Sequence, residues 1–135
     1  MFGFNSGQCK RELQKAFSNC FEPLKDELGT VPDALETSKY ITASMLGICE
    51  AYTNIKKVSK PQQIALITDA AFEEVFRRES TNVLRRVDQW RNDQDSEFMS
   101  AYEQAKSKTN NENLDISWLQ EYASQNFEPS KTLML

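Results

Sequence analysis

Apolar residues recur at intervals of three and four along almost the whole chain, and this spacing constrains the fold more than any other feature. A repeat near 3.6 residues places the apolar side chains on one face of an α-helix. No stretch alternates apolar and polar residues for long enough to predict a β-strand. With only 4 glycines and 4 prolines in 135 residues, a turn-rich β fold is also disfavoured. The sequence therefore predicts an all-α protein.

The pattern predicts about five helices with short joints, arranged as an antiparallel bundle around one core. The first helix covers residues 8–28, with a kink or short break expected at Pro23, whose ring clashes with the carbonyl four residues earlier. The second covers residues 32–57, with Thr30 as its N-cap. The third covers residues 59–90, and two shorter helices follow it.

The long third helix is predicted to begin with a capping box, in which the Ser59 hydroxyl accepts from a backbone amide and Gln62 reaches back. Its apolar stripe changes direction by about 100°, the angle of one residue, between residues 64–75 and 83–90. Polar residues lie at this change, so a kink or π-bulge is expected there, unless the two halves face different neighbours. A kink would also turn the Glu79 carboxylate away from the apolar side.

Two other positions carry local predictions. Asp95 or Ser96 is expected to cap the fourth helix, and Asp115 the fifth, because short polar side chains accept from free backbone amides. Gly47 lies opposite the apolar stripe of the second helix. There it either permits a close helix contact or weakens the helix.

The chain has the usual length of one domain, so residues 1–135 are predicted to form a single helical domain. The two ends, residues 1–6 and 128–135, are expected to be flexible. No apolar run reaches the roughly 18 residues that suggest a membrane span. The N-terminus carries neither a signal-peptide pattern nor a myristoylation start, and a cytoplasmic location is expected.

The net charge of -4 is unevenly distributed. Residues 1–93 carry 13 basic and 13 acidic side chains, whereas residues 94–135 carry 3 basic and 7 acidic ones. The whole excess of negative charge therefore lies in the C-terminal third. An acidic chain repels phosphate backbones, which disfavours non-specific binding to nucleic acids.

The chain contains no histidine, which narrows its chemistry. Ser-His-Asp and Cys-His catalysis cannot operate within it, and a Glu-x-x-His metal motif cannot be built. The three cysteines are too widely spaced for a zinc site or a disulfide framework and are expected to be small buried residues. Asp93, Asp95 and Glu97 match a calcium loop poorly. No catalytic, metal or cofactor residue is therefore predicted, and a binding role is favoured over catalysis.

The strongest candidate for an interface is an arginine-rich stretch that interleaves with apolar residues, because arginine beside aromatic side chains is typical of binding surfaces. Trp118 and the apolar C-terminal tail are further candidates. The candidate interface residues are Arg77, Arg78, Arg85, Arg86, Trp90, Arg91, Trp118, Leu133 and Leu135. The alternative for the arginines is a solvated helix face balanced by neighbouring acids.

These observations favour a cytosolic, non-enzymatic protein-interaction module, an adaptor, regulator or inhibitor, whose partner is another protein or a second copy in a homodimer. One alternative is a small-ligand carrier or a histidine-independent enzyme, with Tyr40, Tyr52 and Cys49 as the candidate groups. A second alternative is nucleic-acid binding through residues 77–91. Neither a membrane nor a cofactor is expected as a partner.

Overall fold

The computed structural model describes residues 2–130 of the chain, and side chains from residue 6 onward. Within that part every regular element is helical, so the all-α prediction is confirmed. The α-helices are α1 (Phe2–Phe21), α2 (Asp33–Glu36), α3 (Lys39–Ile55), α4 (Pro61–Phe76), α5 (Ser80–Asn92), α6 (Ser96–Lys108) and α7 (Ser117–Asn126). Two short 3-10 segments, Glu22–Leu24 and Arg77–Glu79, follow α1 and α4. None of these helices is long and apolar enough to cross a membrane.

Helix α3 is the centre of the bundle. It contacts each of the other six helices of the described chain, most extensively α6. Residues 41–49 are buried without interruption, as expected for a helix that neighbours surround on all sides. The first helix packs mainly on α4, and together these contacts enclose one hydrophobic core.

Helices α3 and α6 form the closest pair, and they run in the same direction. Lys39 at the start of α3 donates to Asp95 at the start of α6 at 2.7 Å. Further along, Gly47 faces Tyr102 and Ala105. Two helices, α4 and α5, intervene between them in the chain, so this pair departs from the antiparallel order expected of short joints.

The break expected at Pro23 is confirmed, and it ends the first α-helix earlier than predicted. Helix α1 stops at Phe21, and Pro23 lies in the 3-10 segment that follows. Residues 25–28 are not helical, and Gly29 turns the chain with φ of 81°. A residue in this left-handed region favours glycine because a Cβ atom would be strained there.

The predicted second helix is interrupted near its start. Ser38 separates α2 from α3 and caps α3, its hydroxyl accepting from the amide of Ile41 at 3.1 Å. Thr30 is therefore not the N-cap. Its amide instead donates to the carboxylate of Asp26 at 2.9 Å within the preceding loop. Ser38 is the N-cap because it lies three residues before the buried stripe of α3. From there its hydroxyl can accept from a backbone amide in the first turn that has no partner within the helix.

The start of α4 differs from the predicted capping box. Lys60 occupies the N-cap position without a side-chain bond, and Pro61 opens the helix. Proline suits this position because its missing N–H would have no partner there. Ser59 and Gln62 therefore do not form the reciprocal pair that the spacing predicted.

The kink expected in the long third helix is confirmed. Helix α4 ends at Phe76, the 3-10 segment Arg77–Glu79 follows, and α5 begins at Ser80. Arg77 has φ of 56° and ψ of -127°, which breaks the helical path, and Glu79 is turned out to solvent. The cap predicted at Asp95 is also present, its carboxylate accepting from the amide of Phe98 at 3.0 Å. At α7 the N-cap is Ile116 instead of Asp115, whose carboxylate accepts from the amide of Ser117 at 3.0 Å one residue outside the cap position.

Candidate binding groove

An open groove with a volume of about 990 Å3 runs between α3, α4 and α5 and ends against the C-terminal end of α6. We call it the α3–α5 groove. Its floor is apolar and consists of Leu46, Ile55, Val58, Ile64, Leu84 and Val87. Leu46, Val58 and Val87 are buried in the core. Ile55, Ile64 and Leu84 are only partly buried. The bundle thus leaves an apolar surface uncovered at this place.

The groove exists because α4 and α5 do not form one straight helix. The kink at residues 77–79 lets α5 turn back beside α4, so Leu84 on α5 lines the same groove as Ile64 on α4. The joint at residues 56–60 closes one end of the groove, where Val58 is buried. Ala65 lines the groove from α4 and is exposed, so a small side chain leaves the mouth open.

Two carboxylates lie at the mouth, Asp69 on α4 and Asp88 on α5. Both side chains are exposed, and among the described residues no cationic nitrogen lies within 4.0 Å of either one. Partial burial raises the pKa of Asp69, and the negative charges of Asp88 and Glu73 raise it further. The mouth of the groove therefore concentrates negative charge that the protein leaves unpaired.

A closed polar network also lines the groove, in which Arg91 on α5 binds Glu50 on α3. One guanidinium nitrogen donates to Glu50 at 2.8 Å and the other at 3.2 Å, a two-pronged pair. The same guanidinium donates to the hydroxyl of Tyr102 on α6 at 3.1 Å, and that hydroxyl donates to Glu50. Hydrogen bonding to Glu50 raises the pKa of Arg91, and burial raises that of Tyr102. The network joins three helices and neutralises its own charges.

Replacing Arg91 with methionine is expected to lower the free energy of unfolding by about 2 kcal/mol, because Glu50 would keep its position without a cation. Fully buried pairs lose about 3–5 kcal/mol in this way, and partial exposure of both side chains reduces the loss. Urea unfolding followed by circular dichroism measures it. Arg85→Met is the matched control on the same helix, expected to stay within about 0.5 kcal/mol. Equal losses in the two variants would contradict the role of the network.

Three of the five predicted interface arginines bind other parts of the chain. Arg77 donates to the carbonyl of Leu28 at 3.0 Å, and Arg86 donates to that of Glu36 at 2.9 Å. Arg91 is held by the network described above. These contacts tie the kink and α5 to the preceding loop and helices, so the arginines do not gather into one exposed patch.

The other two arginines remain at the surface, where Arg85 donates to Asn82 at 3.2 Å and Arg78 is exposed. Trp90 is half-buried against Phe98, with ring centroids 5.9 Å apart. These residues face different surroundings, so the structure does not bring the predicted interface residues together. Among the members of that set that the structure describes, only Arg91 lines the α3–α5 groove.

Trp118 is half-buried on α7, and the ammonium of Lys108 lies 4.4 Å from the centre of its ring. Its indole nitrogen is buried and has no partner among the described residues. The tail candidates Leu133 and Leu135 lie outside the described residues. Both interface predictions stay predictions.

The groups considered for a small-ligand site lie apart from the groove. Cys49 is fully buried in α3, and burial raises the pKa of its thiol. The hydroxyl of Tyr52 donates to Glu12 at 2.8 Å, while Tyr40 stacks on Tyr122 with ring centroids 3.9 Å apart. None of the three lines the α3–α5 groove.

No set of three acidic or cysteine side chains in the described part of the chain is arranged to hold a metal ion. Asp95, the centre of the poor calcium-loop match, caps α6 and binds Lys39. The sequence did not indicate the groove for two reasons. The spacing of Ile64 places it on the core-facing stripe of its helix, and Asp69 belongs to no recognisable motif. Leu84 was the one available signal. It lies about 100° around the helix from Val83, so this apolar side chain falls beside the core-facing stripe of Val83 and Val87 and not on it.

Comparison with known proteins identifies no relative. No family model matches the chain, and neither a curated protein nor a solved structure shows significant similarity to it. The α3–α5 groove and its charges are therefore the features from which a function can be argued.

Proposed function

We propose that the chain is a non-enzymatic protein-interaction module, acting as an adaptor, regulator or inhibitor, and that it binds a segment of another protein in the α3–α5 groove. The observation that carries this proposal is the uncovered apolar floor, on which Ile55, Ile64 and Leu84 remain partly exposed. Burying such a surface against a partner is favourable in proportion to the apolar area removed from water.

The composition around the groove supports this interpretation. Protein interfaces combine an apolar centre with a polar margin, and here carboxylates and Asn54 surround the floor. Leu66 on α4 is 67% exposed and lines a neighbouring recess between α4 and α1, which shares Asp69 with the groove. Both features fit a partner larger than a small molecule. The three unpaired, buried cysteines accord with the reducing cytosol that the sequence analysis favoured.

Selection from a phage library of random peptides of about 16 residues, roughly four helical turns, tests the proposal. Peptides enriched on the unmodified protein are expected to bind Ala65→Tyr at least about tenfold more weakly, because the new ring would fill the mouth. Ala34→Tyr is the matched control, since Ala34 is also exposed on a helix but lines no part of the groove. Fluorescence anisotropy of the synthetic peptides gives both affinities.

Two outcomes would overturn the proposal: failure to enrich any peptide, or enriched peptides that bind Ala65→Tyr and Ala34→Tyr equally well. Sedimentation of the unmodified chain addresses the homodimer. A dimer that dissociates in Ala65→Tyr but not in Ala34→Tyr would assign the groove to a second copy instead of another protein.

A further inference from the structure

We propose that the occupant of the α3–α5 groove is a cationic amphipathic helix of a partner protein, whose apolar stripe contacts the floor and whose arginine or lysine side chains bind Asp69 and Asp88. This inference rests on the proposed function and adds the chemistry of the partner. It is argued from the position of the two carboxylates, from the absence of an ion pair to either of them among the described residues, and from the shape of the floor.

The two carboxylates approach the groove from different helices. Asp69 on α4 and Asp88 on α5 both line the groove, and both also line a shallow recess that continues from it past Leu84. A cation that enters beside Leu84 therefore comes within reach of both acids. One arginine on a partner can bind two carboxylates because its guanidinium carries five N–H donors.

The basic groups of the protein near this mouth have other contacts. Arg91 is bound to Glu50 by two hydrogen bonds. Lys106 lies at the far end of the groove, on α6, and pairs with Glu103 at 4.0 Å. Arg85 lines the recess and donates to Asn82, and Lys10 shares a separate recess with Asp69, but neither cation lies within 4.0 Å of Asp69 or Asp88. Both carboxylates are therefore without an ion pair and can accept from a partner.

The charge distribution of α4 extends the acidic surface along the same direction. Glu73 lies one helical turn beyond Asp69 and lines the recess with it. Burial raises the pKa of Asp69, and the like charges of Asp88 and Glu73 raise it further because like charges repel. A partner with basic side chains one turn apart would relieve this repulsion at both positions.

The floor favours a helix over an extended segment. Every regular element around the groove is helical, so no free sheet edge is present there for strand addition. From Pro61 to Asp69 the α4 wall is about 12 Å long, which corresponds to a little more than two turns of a partner helix. Anchors spaced at i, i+4 and i+7 would match this length.

The test uses a defined pair of synthetic peptides of about 16 residues. The first has leucines at i, i+4, i+7 and i+11 with arginines on both sides of that stripe, and its twin has glutamine in place of every arginine. Fluorescence anisotropy with the full chain is expected to show about tenfold tighter binding of the arginine peptide at about 50 mM salt. The difference is expected to shrink at about 200 mM salt because exposed charges are then screened.

Variants assign the preference to the two carboxylates. The double substitution Asp69→Asn and Asp88→Asn is expected to reduce the affinity for the arginine peptide to that of its glutamine twin. Glu27→Gln is the matched control, because Glu27 is an exposed carboxylate on the loop between α1 and α2 and lines neither the groove nor the recess. It is expected to leave both affinities unchanged.

The outcomes separate this inference from the proposed function. If both peptides bind equally and Ala65→Tyr weakens both, the groove binds helices but the cationic preference is wrong. If the arginine peptide binds Ala65→Tyr as well as the unmodified chain, the attraction lies elsewhere and the inference is overturned. Absence of binding by either peptide at about 1 mM overturns the inference and also counts against a helix-binding groove.

Discussion

Replacing Gly47 with valine is expected to lower the free energy of unfolding by about 3 kcal/mol. A Cβ atom at this position would lie 2.6 Å from the backbone oxygen of Tyr102 and 3.0 Å from the Cβ of Ala105. Neither neighbour can rotate away, because one is backbone and the other has no rotatable side chain. Helices α3 and α6 would have to separate, and their separation would also disturb the bond from Tyr102 to Glu50. Urea unfolding followed by circular dichroism measures the loss.

Alanine substitutions provide the control, because the intrinsic preference of a helix for alanine acts in the opposite direction. In an unhindered helix, glycine to alanine gains about 0.5–1 kcal/mol. Gly7 lies in α1, and its added Cβ would meet only the flexible end of Arg11 at 3.4 Å. Gly7→Ala is therefore expected to stabilise the protein and Gly47→Ala to destabilise it. Equal effects in the two variants would contradict the close approach of α3 and α6.

The sequence was sufficient to predict the features of the fold that depend on neighbouring residues. The change of direction between the stripe of Ile67 and Val75 and that of Val83 and Val87 predicted the kink, because a single helix cannot bury both stripes on one side. Pro23 predicted the first break because its effect on the helix is local. Asp95 predicted a cap for the same reason, since its carboxylate needs only the amides of the next turn.

Helix starts were predicted less well, because several polar residues compete for each one. Thr30, Ser38 and Ser59 all have side chains that accept from amides, and the sequence does not show which amides tertiary packing leaves free. The structure uses Ser38 and leaves the start of α4 to Pro61. The choice depends on where the buried stripe begins in three dimensions, and a one-dimensional pattern gives no direct measure of that position.

The candidate site depended on contacts between distant residues and could not be read from spacing. Arg91 and Glu50 are 41 residues apart, so no local pattern indicated that this arginine would be bound within the protein. Asp69 and Asp88 lie on different helices and meet at one groove only because the kink turns α5 beside α4. An exposed arginine stretch was the reasonable expectation from sequence, since a helix presents such residues to solvent unless a tertiary partner holds them.

The stability of the protein is expected to fall steeply above about pH 9, because its three cysteines are buried as neutral thiols. Burial raises the pKa of Cys9 to about 11 and that of Cys20 to about 12, and it raises the pKa of Cys49 as well. In the unfolded chain the thiols lose their protons near pH 9.0, so deprotonation stabilises the unfolded state first. Their contribution is complete below that pH and is lost as the pH rises through the folded-state values. Between the unfolded-state and folded-state pKa values, the three thiols together lower the free energy of unfolding by about 4 kcal/mol per pH unit.

The free energy of unfolding of a native protein is only about 5–15 kcal/mol, so this protein is expected to unfold before about pH 12. Urea midpoints measured under reducing conditions at half-unit steps of pH give the slope, which is the decrease in the free energy of unfolding per pH unit. Cys20→Ala is expected to lower it by about 1.4 kcal/mol per pH unit, whereas Val83→Ala, a buried truncation without a titrating group, is expected to lower stability at every pH and leave the slope unchanged. The same slope in both variants would mean that the Cys20 thiol ionises as readily in the folded bundle as in the unfolded chain, and the linkage between burial and alkaline stability would be wrong at that position.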